Sequence, residues 1–373
     1  MSEPLLAVVV IGRNEEAYLD GCLEAARAAV APFGAEIVFV DSRSTDRSVD
    51  IARHNDVRIA EIGASASLCP ALGRLIGQQL TASRFVLFLD GDTEVDATWV
   101  RDGIAFLEAH HDVAGVSGRL REVYYADGRV VGEHADFFRV GDAPEDVDEL
   151  AGNAIYRRTT LEQVGSFNPF LSSYEEMDVA ERARQAGFRI VRLPITLGTH
   201  HTGQRGTVTE LRRRYRDNLI RGYGQVLRRS VGTPMFWPHV RLMNGRHLQF
   251  QGAILVGLLA LLASVVTRDG RWIGAWIALA ALVTLGFMVK GRSLKKPFLL
   301  YLEWAVWAVP MLRGFLETPR DPRTFVVADV IERVEDDGRV IPTRQALDDA
   351  AAARAAASDR IPRAAYGASQ HGQ

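Results

Sequence analysis

Short apolar blocks alternate with helical patterns over residues 1–205. Leu5–Ile11, Glu36–Val40, Val57–Ile62 and Arg84–Leu89 are compact apolar runs that end on polar or glycine positions, the pattern of buried strands. Between the first two, Asn14–Val30 places Tyr18, Cys22, Leu23 and Ala26 on one helical face. Asn14 stands where a cap is needed, and Glu15 and Glu16 suit the positive end of that helix. Ser44–Arg53 predicts a second helix. Strand and helix in alternation predict a mostly parallel α/β sheet, and such sheets bind ligands beyond the carboxyl ends of their strands.

The pattern changes after residue 205. Leu211, Tyr215, Leu219, Tyr223 and Leu227 recur every four residues among arginines, predicting a basic amphipathic helix for an anionic lipid surface within a linker over 206–246. Leu248–Thr267 is then 20 residues without a charge and Trp272–Val289 another 18, each long enough for about 30 Å of hydrocarbon. A third apolar stretch, 297–312, carries Glu303 and Pro310, so within a membrane region of 247–316 it is expected to cross incompletely or re-enter. Arg241 and Arg246 precede the first span, and Lys290, Arg292, Lys295 and Lys296 follow the second, which predicts a cytoplasmic N-terminal domain on a multi-pass inner-membrane protein. No cleaved signal is expected at the N-terminus. Residues 317–373 turn polar and then alanine-rich, predicting a partly disordered tail.

Composition narrows the chemistry. The 373 residues hold 44 Lys+Arg against 46 Asp+Glu, a net charge of −2, so nothing global favours nucleic acid as a partner. Cys22 and Cys69 are too far apart for a short zinc or redox motif and read as small core residues.

The chemical signal is acidic and sits at strand ends. Asp90-Gly91-Asp92 follows the apolar run Phe85–Leu89 directly, and Glu94 adds a third carboxylate. Hard oxygen donors of this kind suit Mg2+ or Mn2+ with sites left for phosphate oxygens. His200 and His201 follow a further strand-like run, Phe188–Leu193, and offer a nitrogen ligand or a diphosphate contact. Tyr174-Glu175-Glu176-Met177-Asp178 opens a helical pattern that closes on Gly187.

Taken in order, Val8–Glu16, Val40–Ser48 and Phe88–Asp92 resemble the motifs of family 2 inverting glycosyltransferases of the GT-A fold, a Rossmann-like nucleotide-diphospho-sugar transferase. The match rests on Asp41, Ser44, Thr45, Asp46, Asp90 and Asp92. It departs at Gly12-Arg13, where the family usually has proline and tyrosine, and at Ser42-Arg43, where it has an acid and a glycine. The resemblance implies donor contacts from Asn14, Glu15, Asp41, Ser44, Arg74, Asp90, Gly91 and Asn153, and metal ligation by Asp90, Asp92, Glu94 and His201. It also implies a catalytic base at Glu176, where the family usually has aspartate, with Glu175 or Asp178 as substitutes. Gly152–Arg158 resembles the glycine-rich segment that lines the sugar and acceptor site. No Gln-x-x-Arg-Trp motif follows, which argues against a processive polymerase.

The expected function is transfer of a sugar from a nucleotide donor, UDP-linked in preference to GDP-linked, to a polyprenyl-linked saccharide at the membrane, in envelope or exopolysaccharide synthesis. Two alternatives stand beside it: a polyprenyl-phosphate acceptor, which needs no base, and a nucleotide-sugar-binding membrane scaffold without catalysis.

Overall fold

The computed structural model describes residues 4–203, 207–242, 246–291 and 295–358. The chain forms two compact units, Met1–Arg205 with Arg320–Gln373, and Gly206–Pro319.

The first unit begins β1 (Leu6–Gly12), α1 (Leu19–Val30), β2 (Glu36–Asp41), α2 (Ser48–His54), β3 (Arg58–Ile62), α3 (Pro70–Leu80) and β4 (Phe85–Asp90). It continues β5 (Thr93–Val95), α4 (Ala97–Ala109), β6 (Val113–Ala126), β7 (Arg129–His134) and β8 (Glu145–Asp146). β9 (Ala154–Arg157), α5 (Arg158–Val164), α6 (Glu175–Gln185) and β10 (Arg189–Gly203) complete the run before the second unit.

The second unit is helical among its described residues: α7 (Thr207–Arg216), α8 (Leu219–Ser230), α9 (Phe236–Leu242), α10 (Arg246–Thr267), α11 (Arg271–Gly291) and α12 (Lys295–Leu316). The chain then returns to the first unit as β11 (Ile331–Asp336), β12 (Arg339–Ile341) and α13 (Thr343–Ser358).

One 12-stranded sheet organises the first unit, in the order β12-β11-β3-β2-β1-β4-β9-β6-β10-β5, with β7 on β6 and β8 on β10. The four apolar strands expected from sequence form its parallel centre, β3-β2-β1-β4. Residues 6–10 and 85–89 are wholly buried because helices cover both faces, which explains why these strands are apolar throughout rather than alternating. The sheet as a whole is mixed, not mostly parallel, since β9 runs antiparallel to β4 and β6, and β11 antiparallel to β3. Strand order reverses between β1 and β4, so their carboxyl ends flank the switch point where such sheets bind ligands.

Three sequence expectations differ from the structure. Asn14 does not cap α1: its φ is +60° and the helix begins five residues later, at Leu19. The basic amphipathic helix is two helices, broken at Asn218, whose φ of +57° ends the α-helical path. The polar tail is structured over 320–358, where β11 pairs with β3 in the register Val334↔Ala60. Short apolar positions Val327, Ile331 and Val334, spaced among charges, bury themselves in the core beneath α3 and so pull a polar-looking segment into the fold. The part of that tail beyond Ser358 lies outside the described residues.

The third apolar stretch belongs to a helix longer than expected: α12 runs 22 residues, straight through Pro310. Three helices, α10, α11 and α12, are long and apolar enough to cross a membrane.

Candidate active site

Two loops meet beyond β1 and β2. The Asn14 N–H donates to Ser44 Oγ at 2.9 Å, Thr45 N–H to Asn14 Oδ1 at 2.8 Å and Glu15 N–H to Ser48 Oγ at 2.8 Å. Asp41, almost wholly buried at the end of β2, accepts from Ser44 N–H at 2.9 Å. The polar residues of both motifs therefore spend their hydrogen bonds holding the loops together. Arg43 takes a left-handed φ of +60°, a conformation unfavourable for a residue with a side chain, and donates to the carbonyls of Ala64 and Ala66.

Beyond β4 the two carboxylates meet different partners. Asp90 is held by two groups: its N–H donates to Asn153 Oδ1 at 2.8 Å, and Arg74 Nη2 lies 2.9 Å from its Oδ1. Arg74, 2% exposed, reaches from α3 to three acids at once, with Nη1 at 2.6 Å from Glu175 and 3.3 Å from Glu176. Burial alone would weaken the charge on Arg74, but Asp90, Glu176 and Glu175 outweigh it and raise its pKa. Gly152 fits against this cluster because a Cβ there would lie 2.5 Å from both Arg74 Nη2 and Asp90 Oδ2. Its smallness thus serves the Arg74–Asp90 pair.

The two glutamates differ in access. Glu175 is 1% exposed and locked onto Arg74, whereas the Glu176 side chain keeps 18% of its surface open. Burial raises the pKa of both; the Glu176 charge raises Glu175 further, and Arg74 partly offsets each. Asp178 turns to a different partner: it forms a 2.6 Å pair with Arg182, one turn on, which also donates to the carbonyls of Val164 and Ser166.

Asp92 faces His200, with Nε2 3.1 Å from Oδ1, and His200 Nδ1 in turn lies 3.0 Å from Glu122. Burial lowers the proton affinity of His200, but its bonds to Asp92 and Glu122 more than reverse this and bring its pKa to about 11. Successive residues of a strand point to opposite sides, so His201 meets other partners. It pairs with Glu94 at 3.2 Å and Tyr125 at 3.0 Å and stacks on Tyr18. Glu94 and His201, expected as metal ligands beside Asp90 and Asp92, thus pair with each other, and His200 is the histidine at Asp92.

Glu15 lies between the two groups, its pKa raised to about 7 by burial and then by Asp92 and Asp90. Sequence reasoning did not find Glu122, Tyr18 or Tyr125. Glu122 is legible only from register, as the cross-strand neighbour of His200.

A hard divalent cation suits this donor set. Asp90 and Asp92 keep 34% and 22% of their side-chain surface open at the switch point. Among the described residues no three acidic, histidine or cysteine side chains converge into a closed cage. Mg2+ and Mn2+ are commonly held by one or two carboxylates, with phosphate oxygens and water supplying the rest.

The model of the family described as glycosyl transferase family 2 matches residues 7–165, from β1 to the end of α5. The chain carries a glycosyl transferase family 2 domain. This glycosyltransferase is 24% identical over 292 residues to glycosyltransferase AglE of Haloferax volcanii, covering 76% of this chain and 90% of that one. In structure it resembles the mannosyltransferase PcManGT of Pyrobaculum calidifontis, solved with GDP-Man and Mn2+, at a TM-score of 0.51 and 15% identity over 86% of this chain and 89% of that one. It also resembles TarS 1–349 of S. aureus in complex with UDP-GlcNAc, at a TM-score of 0.49 and 18% identity, over 72% and 89% of the two chains. The fold of the glycosyltransferase is GT-A.

Proposed function

We propose that this glycosyltransferase moves a sugar, with inversion, from a nucleoside diphosphate to a hydroxyl of a polyprenyl-linked saccharide at the cytoplasmic face of the inner membrane, in envelope or exopolysaccharide synthesis. The observation that carries this reading is the Arg74 cluster: one buried guanidinium fixes Asp90 at the switch point and Glu175 and Glu176 at the start of α6. Donor-side and acceptor-side acids are thereby fixed to one rigid group.

In this reading Glu176 is the base. Its partly open carboxylate accepts the acceptor hydroxyl proton as that oxygen attacks the anomeric carbon opposite the leaving diphosphate. Burial raises its pKa, which favours taking up a proton. Glu175 keeps Arg74 in place and touches no substrate. Asp90 and Asp92 would hold Mg2+ or Mn2+, which when bound offsets the charge growing on the departing diphosphate. The stitched loops at Asn14, Glu15, Asp41 and Ser44 support the nucleotide side. The PcManGT complex contains GDP-Man, which supports a nucleotide-sugar donor, and the motif resemblance favours uridine as its base.

Three helices of membrane-spanning length support placement at a bilayer, and the basic flanks of α10 and α11 support a cytoplasmic catalytic unit. The test is incubation of membranes containing the protein with a panel of labelled nucleotide sugars and Mn2+, followed by analysis of the lipid extract. A labelled saccharide-lipid is the expected product. Label that appears only on a polyprenyl phosphate, formed equally by Glu176→Gln, would replace the hydroxyl acceptor with a phosphate. No labelled lipid from any donor would overturn the reading.

A further inference from the structure

We propose that α12 does not cross the bilayer. Only α10 and α11 cross, as a hairpin, and α12 lies in the lipid interface on the catalytic side, clasped to α8. This deepens the membrane placement proposed above and rests on it.

The first argument is parity. Residues before 205 and after 320 belong to one folded unit, joined by the β11–β3 ladder and by the ion pairs Arg58–Asp336 at 2.7 Å and Arg53–Glu335 at 3.1 Å. Both ends of the 206–319 segment therefore open onto the same aqueous phase. The number of crossings between them must be even, yet three helices are long and apolar enough to cross.

Hydropathy and packing select the pair. α10 and α11 have mean hydropathies of 2.1 and are 6% and 0% buried, so their surfaces need lipid. They are mutually registered: Trp276 Nε1 donates to the Ala253 carbonyl at 2.9 Å, and the Ile273 N–H to Ser264 Oγ at 3.0 Å. Arg268–Gly270 joins them, so they cross together or not at all. α12 differs, with a mean hydropathy of 1.3, Glu303 within it, and 22% of its span buried.

Packing then sets the depth of α12. Trp307 and Met311 are buried, with the Trp307 ring 5.9 Å from that of Tyr223 on α8, while Trp304, further toward the N-terminus, packs on Phe250 near the start of α10 and Phe287 near the end of α11. Gly224 and Gly314 bring the two backbones so close that a Cβ at either would collide with a carbonyl of the other helix, Met311 or Arg221. Arg221 pairs with Glu317, Gln225 donates to Glu317 at 2.8 Å, and Arg228 lies over the Phe315 ring. The C-terminal half of α12 is thus bound along a helix bearing Arg221, Arg228 and Arg229. Guanidinium groups are costly at the bilayer centre and stable at headgroup depth, and α12 shares whatever depth α8 has. The opposite face of α12 carries Phe298, Leu302, Val309, Leu312 and Leu316, exposed and spaced at four, seven, three and four residues. Such a face buries into the upper acyl region from a helix lying in the plane. The occupant of this surface is the cytoplasmic lipid leaflet.

Single cysteines test the proposal in the full-length protein, because native Cys22 and Cys69 are both buried. Asp269→Cys lies between α10 and α11, Lys295→Cys at the start of α12, and Glu332→Cys on β11. A membrane-impermeant maleimide is applied to sealed vesicles of each orientation. Lys295→Cys and Glu332→Cys are expected to label from the same side and Asp269→Cys from the other. A fluorophore on Val309→Cys is expected to be quenched more by a lipid spin-labelled near the headgroup than by one labelled near the chain end. Opposite sidedness of Lys295→Cys and Glu332→Cys, Asp269→Cys on their shared side, or stronger deep quenching overturns the proposal in a membrane-bound protein. Recovery outside the membrane fraction overturns the membrane placement as well.

Discussion

At the residue scale the site is governed by one buried cation. Arg74 satisfies three carboxylates from α3, a helix that the apolar pattern alone does not mark as functional. Arg74→Ala leaves Glu175 buried without its partner, so it is expected to cost about 3–5 kcal/mol of stability, visible as a fall in Tm, along with the loss of transfer. Arg74→Lys is not expected to restore either, because a point charge cannot replace the planar fork. Glu176→Gln is expected to keep the fold and lower kcat by about 10²-fold or more. A base works deprotonated, so kcat/KM in the wild type rises with pH, with its midpoint above the ordinary glutamate value of 4.5 because burial raises the Glu176 pKa. A kcat/KM that does not rise with pH would remove Glu176 as the base. Glu149 offers an independent check. Burial, with the Glu176 charge, raises it to about 7, so the folded state holds its proton more tightly and loses stability as pH climbs from about 4.5 to about 7. Glu149→Gln is expected to raise Tm at pH 8 and leave it unchanged near pH 4, as read by thermal unfolding.

At the scale of elements, the sequence made the parallel centre legible because β1 and β4 are buried on both faces and so read as nearly unbroken apolar runs, with β2 and β3 apolar over most of their length. The motif residues at their carboxyl ends followed from the same fact. Pairings that depend on distant neighbours were not legible. β11 carries Glu332, Arg333, Glu335 and Asp336, and it reads as tail until Arg53 and Arg58 supply its counter-charges. Which imidazole faces Asp92 was not legible for a similar reason, since only the β10–β5–β6 register places His200 there and His201 against Glu94. Ending the chain at Pro319 removes Val327, Ile331 and Val334 from the core, a loss of about 5 kcal/mol at the usual worth of buried aliphatic side chains. It also bares the edge of β3, and the truncated protein is expected to aggregate in detergent on size exclusion. A monodisperse, active truncation would show that the C-terminal strands are dispensable.

Across the whole molecule, a chain that begins and ends in one folded unit carries its helical segment as an insertion. The apolar pattern located α10 and α11 to within two residues at each end, at Leu248–Thr267 and Trp272–Val289, but it could not reveal that both ends of this insertion return to one sheet. With catalysis in the α/β unit through Asp92 and its neighbours, EDTA is expected to abolish transfer by the wild type, with Mn2+ restoring it. The most direct test is the rate of sugar transfer by purified Asp92→Ala with saturating Mn2+ and donor, beside its thermal unfolding curve. Transfer reduced by about 10²-fold or more is expected from a protein that still unfolds in one cooperative transition, with Tm lowered by the loss of the His200 pair; wild-type transfer from a folded Asp92→Ala protein would contradict the account.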